Sequence, residues 1–308
     1  MVRLVIRIGI LGFSDGNGHP YSFSAIINGF DETAFKQAGW PVILDYLSRR
    51  SSSEFSIDDA MVTHVWTQDL DLSKKIAAAC RIENICADVS EMFGEVDAVI
   101  VARDDWETHE ALAAPFLHES IPVFVDKPLT LDNCQLDRFM PHISEGKLMS
   151  CSGLRYAVEL DRLRRSDSEV AGISSIRCTV VNGLEKYGVH LIEAVASLGG
   201  PFARPVSIRR LDVPHDAFLF ILENGVPFHL DCLGSVEKIF CLNIADSGGD
   251  TRYDLHDNFR AFKRTLRNYV DMVKSGVPPI DPMETNRIMR LLVAARSLAH
   301  GDEIRFYP

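Results

Sequence analysis

Val123-Phe124-Val125-Asp126-Lys127-Pro128-Leu129 runs three apolar residues into a carboxylate, a lysine and a proline. A short run with no polar alternation fits a strand buried on both faces, as in parallel sheets covered by helices. A lysine just past such a strand stands where open α/β sheets bind ligands, outside the carboxyl ends of the strands. Upstream, residues 98–102 form an equally apolar run, and residues 107–118 between the two have helical spacing. Residues 61–66 read as another strand, followed by a helix opening near Asp69 with Leu72, Ile76 and Ala79 on one face. Asp69 is placed to cap that helix. The first strand starts at Arg3-Leu4-Val5-Ile6 and ends at Gly12, and residues 21–29 again have helical spacing. Gly39-Trp40-Pro41 and the polar cluster 49–53 read as an irregular insertion. Strand alternating with helix over this half predicts an α/β, doubly wound, mostly parallel sheet.

After about residue 150 the pattern changes. Residues 173–181, 206–211, 217–222, 226–233 and 238–244 are strand-like, and Glu223-Asn224-Gly225 between two of them suits a type I′ hairpin turn. Helices are expected at 187–198 and 258–273, both covering one face of an antiparallel sheet, with a last helix over 284–299. The expected organisation is therefore two domains, 1–150 and 151–308, the second an α+β domain with a mostly antiparallel sheet. A chain of 308 residues is long enough for two cores.

Composition narrows the function classes. A net charge of -11, with no dense run of Lys or Arg, argues against nucleic acid as a partner. No stretch of eighteen apolar residues occurs, so a membrane span is not expected. The seven cysteines are scattered and form no CxxC pair, which suits reduced core thiols in a cytoplasmic protein. Residues 217–222 carry apolar side chains on both faces, so the second sheet is expected to pack against a copy of itself as a homo-oligomer, dimer or tetramer.

The glycine-rich loop after the first strand, with Gly12, Ser14, Gly16, Asn17 and Gly18, is a candidate pyrophosphate site, because backbone N–H groups and a helix N-terminus converge there. Ser14 stands where the GxGxxG fingerprint has its second glycine. For the loop alone, an unliganded surface turn is the alternative. The end of the second strand, where a carboxylate would meet the adenosine ribose, holds Thr67, Gln68 and Asp69. With no Arg or Lys at this turn, NAD is favoured over NADP.

The sequence from Asp126-Lys127-Pro128, through the spacing from His109 to Lys127, to Gly188-Val189-His190-Leu191-Ile192-Glu193 resembles the glucose-fructose oxidoreductase/inositol dehydrogenase/MocA (Gfo/Idh/MocA) family. Phe259-Arg260-Ala261-Phe262 and Thr285-Asn286-Arg287-Ile288-Met289 are similar to its closing helices, and the resemblance spans nearly the whole chain. It implies a Rossmann domain joined to an α+β domain, an active site in the cleft between them, a nicotinamide cofactor, and a small-molecule substrate of the sugar or polyol class. Lys127 would then polarise the substrate oxygen and His190, when neutral, would be the base. Glu193, Arg155 and Tyr156 become substrate-binding candidates, and Arg103, Asp104 and Asp126 line the cofactor.

Ser14, the Arg103-Asp104-Asp105 turn in place of Thr-Pro, Glu193 in place of Asp, and a short stretch between Arg177 and His190 all depart from the family pattern. Each residue also has a plainer reading. Lys127 could be a surface lysine held by Asp126, and His190 a satisfied core histidine. A metal site begun by His190 and Glu193 lacks a third ligand at any familiar spacing, so none is expected. Besides a dehydrogenase, a non-catalytic dinucleotide sensor and a redox-neutral epimerase or lyase using bound NAD are compatible with these residues.

Overall fold

The structure, a computed structural model, describes residues 5–57 and 59–306. The alternating pattern of the first half becomes β1 (Ile6–Leu11), α1 (His19–Asn28), α2 (Glu32–Ala38), α3 (Pro41–Ser48), β2 (Ala60–Trp66), α4 (Leu70–Cys80), β3 (Asn84–Ile85), β4 (Ala98–Val101), α5 (His109–His118), β5 (Val123–Val125), α6 (Asn133–Ser144) and β6 (Leu148–Met149). Arg3 and Leu4, read as the start of the first strand, lie outside the described residues. The six strands form one parallel sheet in the order β3-β2-β1-β4-β5-β6. Every residue of β4 and β5 is buried, as their unbroken apolar composition requires.

The segment read as an irregular insertion is largely helical. Asp31 caps α2 by accepting from Ala34 N, Gly39 ends it at φ +81°, and Pro41 opens α3 at its first turn. Polar surface residues hid that periodicity, while the punctuation by Asp, Gly and Pro was in plain view. Asp69 caps α4 through Asp71 N and Leu72 N, as its position predicts.

The second half contains α7 (Asp161–Arg164), α8 (Asp167–Ala171), β7 (Ser175–Val180), α9 (Val189–Ala196), β8 (Pro205–Arg210), β9 (Asp216–Leu222), β10 (Pro227–Cys232), β11 (Phe240–Asp246), β12 (Gly249–Asp254), α10 (Asn258–Ser275), α11 (Pro282–Ser297) and β13 (Glu303–Arg305). Its sheet has the order β12-β11-β7-β10-β9-β8-β13. All pairs are antiparallel except β7 with β10, which run parallel. The polar strand β12 and the short β13 had too little apolar patterning to be read. The β9–β10 hairpin forms, but not through a type I′ turn. Gly225 N donates to Leu222 O at 2.8 Å, and of the turn residues only Gly225, at φ +82°, is left-handed. This is a type I turn closed by a left-handed glycine, a three-residue loop rather than the expected two.

The chain divides into two compact units, each assembled from separate segments. The first takes the chain up to Thr130, Asp137–Ser150 and Phe262–Ile280; the second takes Leu131–Leu136, Cys151–Ala261 and the chain from Asp281. Most of α10 thus belongs with the parallel sheet, which corrects the expectation that this helix covers the antiparallel one. The Tyr269 hydroxyl contacts the carbonyl oxygens of Val99 at 2.7 Å and Pro122 at 2.8 Å, and its ring lies 5.7 Å from that of Phe124. None of the seven cysteines is in a disulfide; Cys134 is exposed and the other six are buried. Among the described residues, no helix is long and apolar enough to cross a membrane.

Candidate active site

In the first unit the candidate residues gather at the carboxyl ends of β1, β4 and β5. Gly12 leaves β1 at φ +79°, and a Cβ there would lie 2.4 Å from Arg103 Cδ. Ser14, at the second fingerprint position, faces Asp104: its hydroxyl donates to Oδ1 at 2.7 Å and accepts from Asp104 N at 3.1 Å. Asn17, at the third position, donates from Nδ2 to Asp126 Oδ2 at 2.9 Å and accepts from His19 N at 2.9 Å. Each glycine of the fingerprint that is absent is thus replaced by a side chain tied to the carboxyl end of another strand, Ser14 to that of β4 and Asn17 to that of β5.

Asp126 is buried and collects donors. His19 Nδ1 reaches its Oδ2 at 2.6 Å, and Lys127 N donates to its Oδ1 at 2.8 Å. Burial alone would push this carboxyl up; the facing His19, the Lys127 ammonium and the Asn17 amide outweigh it and hold it well below the usual range. An ionised Asp126 is an acceptor only, so His19 donates. Lys127 itself is 5% exposed, and its Nζ lies 3.9 Å from Asp104 Oδ2. A buried ammonium between two carboxylates is not the surface lysine of the plainer reading.

Arg103, from the turn after β4, lies across Gly12 and is held by Asp105 at 2.8 and 2.5 Å. Its Nη1 also donates to Gln68 Oε1 at 3.2 Å, while Gln68 Nε2 donates to Phe13 O at 2.6 Å. A guanidinium therefore does stand at the end of β2, delivered from β4, where the local sequence showed neither Arg nor Lys. Thr67 is buried, and its backbone N–H donates to Ser73 Oγ at 2.9 Å. His109 is fully buried with both ring nitrogens on carbonyl oxygens, Leu129 O and Arg103 O, each at 2.9 Å. It ties the β4 turn to the chain just past Lys127.

These residues fit a dinucleotide. The N–H groups of Asp15, Gly16 and Gly18 meet no acceptor among the described residues, and a Cβ built on Gly16 would touch nothing within 4 Å. Open donors beside the N-terminus of α1 are what a pyrophosphate needs.

In the second unit, α9 carries His190 and Glu193, both buried and one turn apart. Ser152 Oγ lies 2.6 Å from His190 Nδ1, and the rings of Tyr187 and Phe240 stand edge-on to the imidazole at 5.8 and 5.6 Å. Arg155 Nε donates to Glu193 Oε2 at 2.5 Å. The 2.6 Å approach of Arg155 Nη2 to Glu284 Oε1 is a charge contact rather than an aligned hydrogen bond. Burial pushes the Glu193 carboxyl up, Arg155 offsets this only in part, and Glu284 adds like charge. Burial also raises the Tyr156 phenol. Arg155 and Glu193 are thus brought together, but each faces the other.

Sequence reasoning did not single out His19, Ser152 or Glu284. His19-Pro20 at a helix start and the small polar run around Ser152 were visible cues; Glu284 comes from a helix about ninety residues away and has no local signal.

Residues 43–148 match the family described as oxidoreductase family, NAD-binding Rossmann fold. No curated protein sequence matches the chain. Among solved structures, the scyllo-inositol dehydrogenase of Lactobacillus casei is similar at TM-score 0.74 and 14% identity, over 96% of each chain. The myo-inositol dehydrogenase of the same organism, in complex with NAD(H) and myo-inositol, aligns at TM-score 0.73 and 13% identity over 99% of this chain and 98% of that one. The UDP-N-acetylglucosamine 3-dehydrogenase of Acidithiobacillus ferrooxidans aligns at TM-score 0.70 and 16% identity over 96% and 97%. At such identities the likeness is one of fold. The family match begins beyond the β1–α1 loop, the stretch in which Ser14 and Asn17 replace glycine. Residues 43–148 thus match that oxidoreductase family by sequence, and across nearly all its length the chain shares the fold of these dehydrogenases.

Proposed function

We propose that the chain is a nicotinamide-dependent dehydrogenase or reductase acting on a secondary alcohol or ketone of a sugar, polyol or related small molecule. The observation that carries this reading is Lys127, a buried ammonium at the carboxyl end of β5 in a unit whose β1–α1 loop keeps open N–H donors. When bound, the nicotinamide supplies or accepts the hydride. Gly12, Ser14, Gly16, Asn17 and Gly18 hold the pyrophosphate side, with Thr67, Gln68 and Arg103 toward the adenosine and Asp104, Asp126 and Lys127 toward the nicotinamide.

Lys127 stabilises negative charge on a substrate oxygen, and His190 exchanges a proton with substrate. Asp126 holds the Lys127 backbone N–H, and Asp104, 3.9 Å from Nζ, attracts the ammonium. Arg155 and Glu193 tie α9 to the segment before it, and with Tyr156 they are the further substrate-binding candidates. NAD is the first expectation for the cofactor and NADP the second, and the protein acts in the cytoplasm. Incubation with a panel of polyols and keto-sugars, in both directions and with either nucleotide, should change the reduced-nicotinamide absorbance for at least one member. Tight nucleotide binding with no turnover anywhere in the panel would overturn the reading.

A further inference from the structure

We propose that Arg103 reads the 2′-phosphate of NADP, so that the chain prefers NADP to NAD. The proposal rests on the nucleotide-binding part of the reading above and not on turnover. The expectation of NAD came from the residues of the β2 turn alone, and the arginine delivered there from β4 reverses it. In a doubly wound sheet the end of the second strand meets the adenosine ribose, where a carboxylate accepts the 2′-hydroxyl of NAD or a nearby Arg accommodates the 2′-phosphate of NADP.

The residues after β2 leave that place to Arg103. The Thr67 hydroxyl donates to Asp69 O at 2.6 Å. Asp69, the one carboxylate of the turn, is drawn to its own helix, its Oδ1 accepting the N–H groups of Asp71 and Leu72 at 2.9 and 3.4 Å. Its charge opposes a phosphate, and the N-terminus of α4 that it caps offsets it. Gln68 spends its amide on Phe13, accepting from the backbone N at 3.3 Å and donating to O at 2.6 Å.

Arg103 crosses Gly12, where a Cβ would lie 2.4 Å from its Cδ, and its Nη1 donates to Gln68 Oε1 at 3.2 Å. Asp105 grips the other edge, accepting from Nε at 2.8 Å and from Nη2 at 2.5 Å. A guanidinium has five N–H groups. Asp105 takes two and Gln68 one, so two have no acceptor among the described residues. Asp105 offsets part of the positive charge, yet the direction it fixes spares the rotamer entropy that a loose arginine would lose on binding. A clamped guanidinium with N–H groups to spare suits the oxygens of a phosphate.

The test is calorimetric binding of adenosine 2′,5′-bisphosphate and of 5′-AMP, which differ by the 2′-phosphate alone, followed by NADP and NAD. The unmodified chain should bind the bisphosphate about tenfold or more tightly than 5′-AMP, with a preference that shrinks as salt is raised. Arg103→Ala should abolish most of that preference while the affinity for 5′-AMP changes little, and Arg103→Lys, which keeps the charge, should retain part of it. NADP and NAD should follow the same order. Binding of 5′-AMP as tight as that of the bisphosphate overturns the proposal. So does an equal loss of both probes in Arg103→Ala, which would make the guanidinium a general wall of the adenosine site. Absence of binding by all four nucleotides overturns the nucleotide-binding reading itself.

Discussion

Asp126 takes hydrogen bonds from Asn17, His19 and the Lys127 backbone, all to a carboxylate shut off from water. Asparagine in its place would turn an NH2 toward donors, so Asp126→Asn should cost about 2 kcal/mol at neutral pH. Since the fold holds this carboxyl low, its contribution is complete above about pH 4, where aspartates of the unfolded chain have ionised. It is lost as the pH falls further, toward the folded value. Denaturant melts of both proteins at several pH values should converge toward the acid end; a gap that widens there contradicts the assignment. Gly12→Ala brings a Cβ against Arg103 Cδ at a left-handed φ, and should cost about 1–3 kcal/mol with a parallel loss of nucleotide affinity. Arg103→Ala in the same chain should restore only the steric part, which a double-mutant cycle reads directly. Lys127→Met should lower kcat/KM by about a hundredfold or more, and steady-state kinetics beside calorimetric nucleotide binding separate that from loss of the cofactor. Lys127 and Asp126 were legible because motif and strand end coincide in them, and His190 because of its motif on a helix. Their partners His19 and Ser152 were not, since hydrogen-bond pairing across a fold leaves no periodic trace.

Helix α10 shows the same limit one level up. Its amphipathic spacing gave its extent to within two residues, yet the sheet it covers could not be read from that spacing, because an apolar stripe fits a parallel or an antiparallel sheet equally well. What fixes its place is Tyr269, whose hydroxyl caps carbonyl oxygens at β4 and just before β5. Tyr269→Phe leaves the ring packed on Phe124 and removes the one hydrogen bond that the hydroxyl proton makes, while Pro122 O keeps its bond from Val99 N at 3.0 Å, so it should cost about 1 kcal/mol and lower the melting temperature by a few degrees. A variant as stable as the parent would mean that water replaces the hydroxyl. The hairpin between β9 and β10 was legible from Asn-Gly, and its turn type was not. The fold tightens at Gly225 alone, which relieves Asn224 of the positive φ that a two-residue turn demands.

At the scale of the molecule, the two-sheet organisation followed from the change in strand pattern near residue 150, while the assignment of Leu131–Leu136 and Phe262–Ile280 to opposite units from their neighbours did not. Such exchanges are set by which core a segment completes, a quantity that no window of sequence contains. The expectation of self-association belongs at this scale too. In β9, Phe218, Phe220 and Leu222 point into the core, whereas Leu219 and Ile221, on the other face, are only half-buried. Their cross-strand neighbours His229 and Pro227 on β10 leave that face mixed, apolar at β9 and polar around it. Apolar side chains rimmed by polar ones are the composition of a subunit interface, and a second copy of the same sheet is the partner that matches it by symmetry. Sedimentation equilibrium should therefore give a mass at least twice the 34.4 kDa of one chain. Leu219→Asp with Ile221→Asp should reduce it to that of the single chain, with the circular dichroism of the fold retained. A single-chain mass in the unmodified protein at micromolar concentration would mean that the outer face of β9 meets only water.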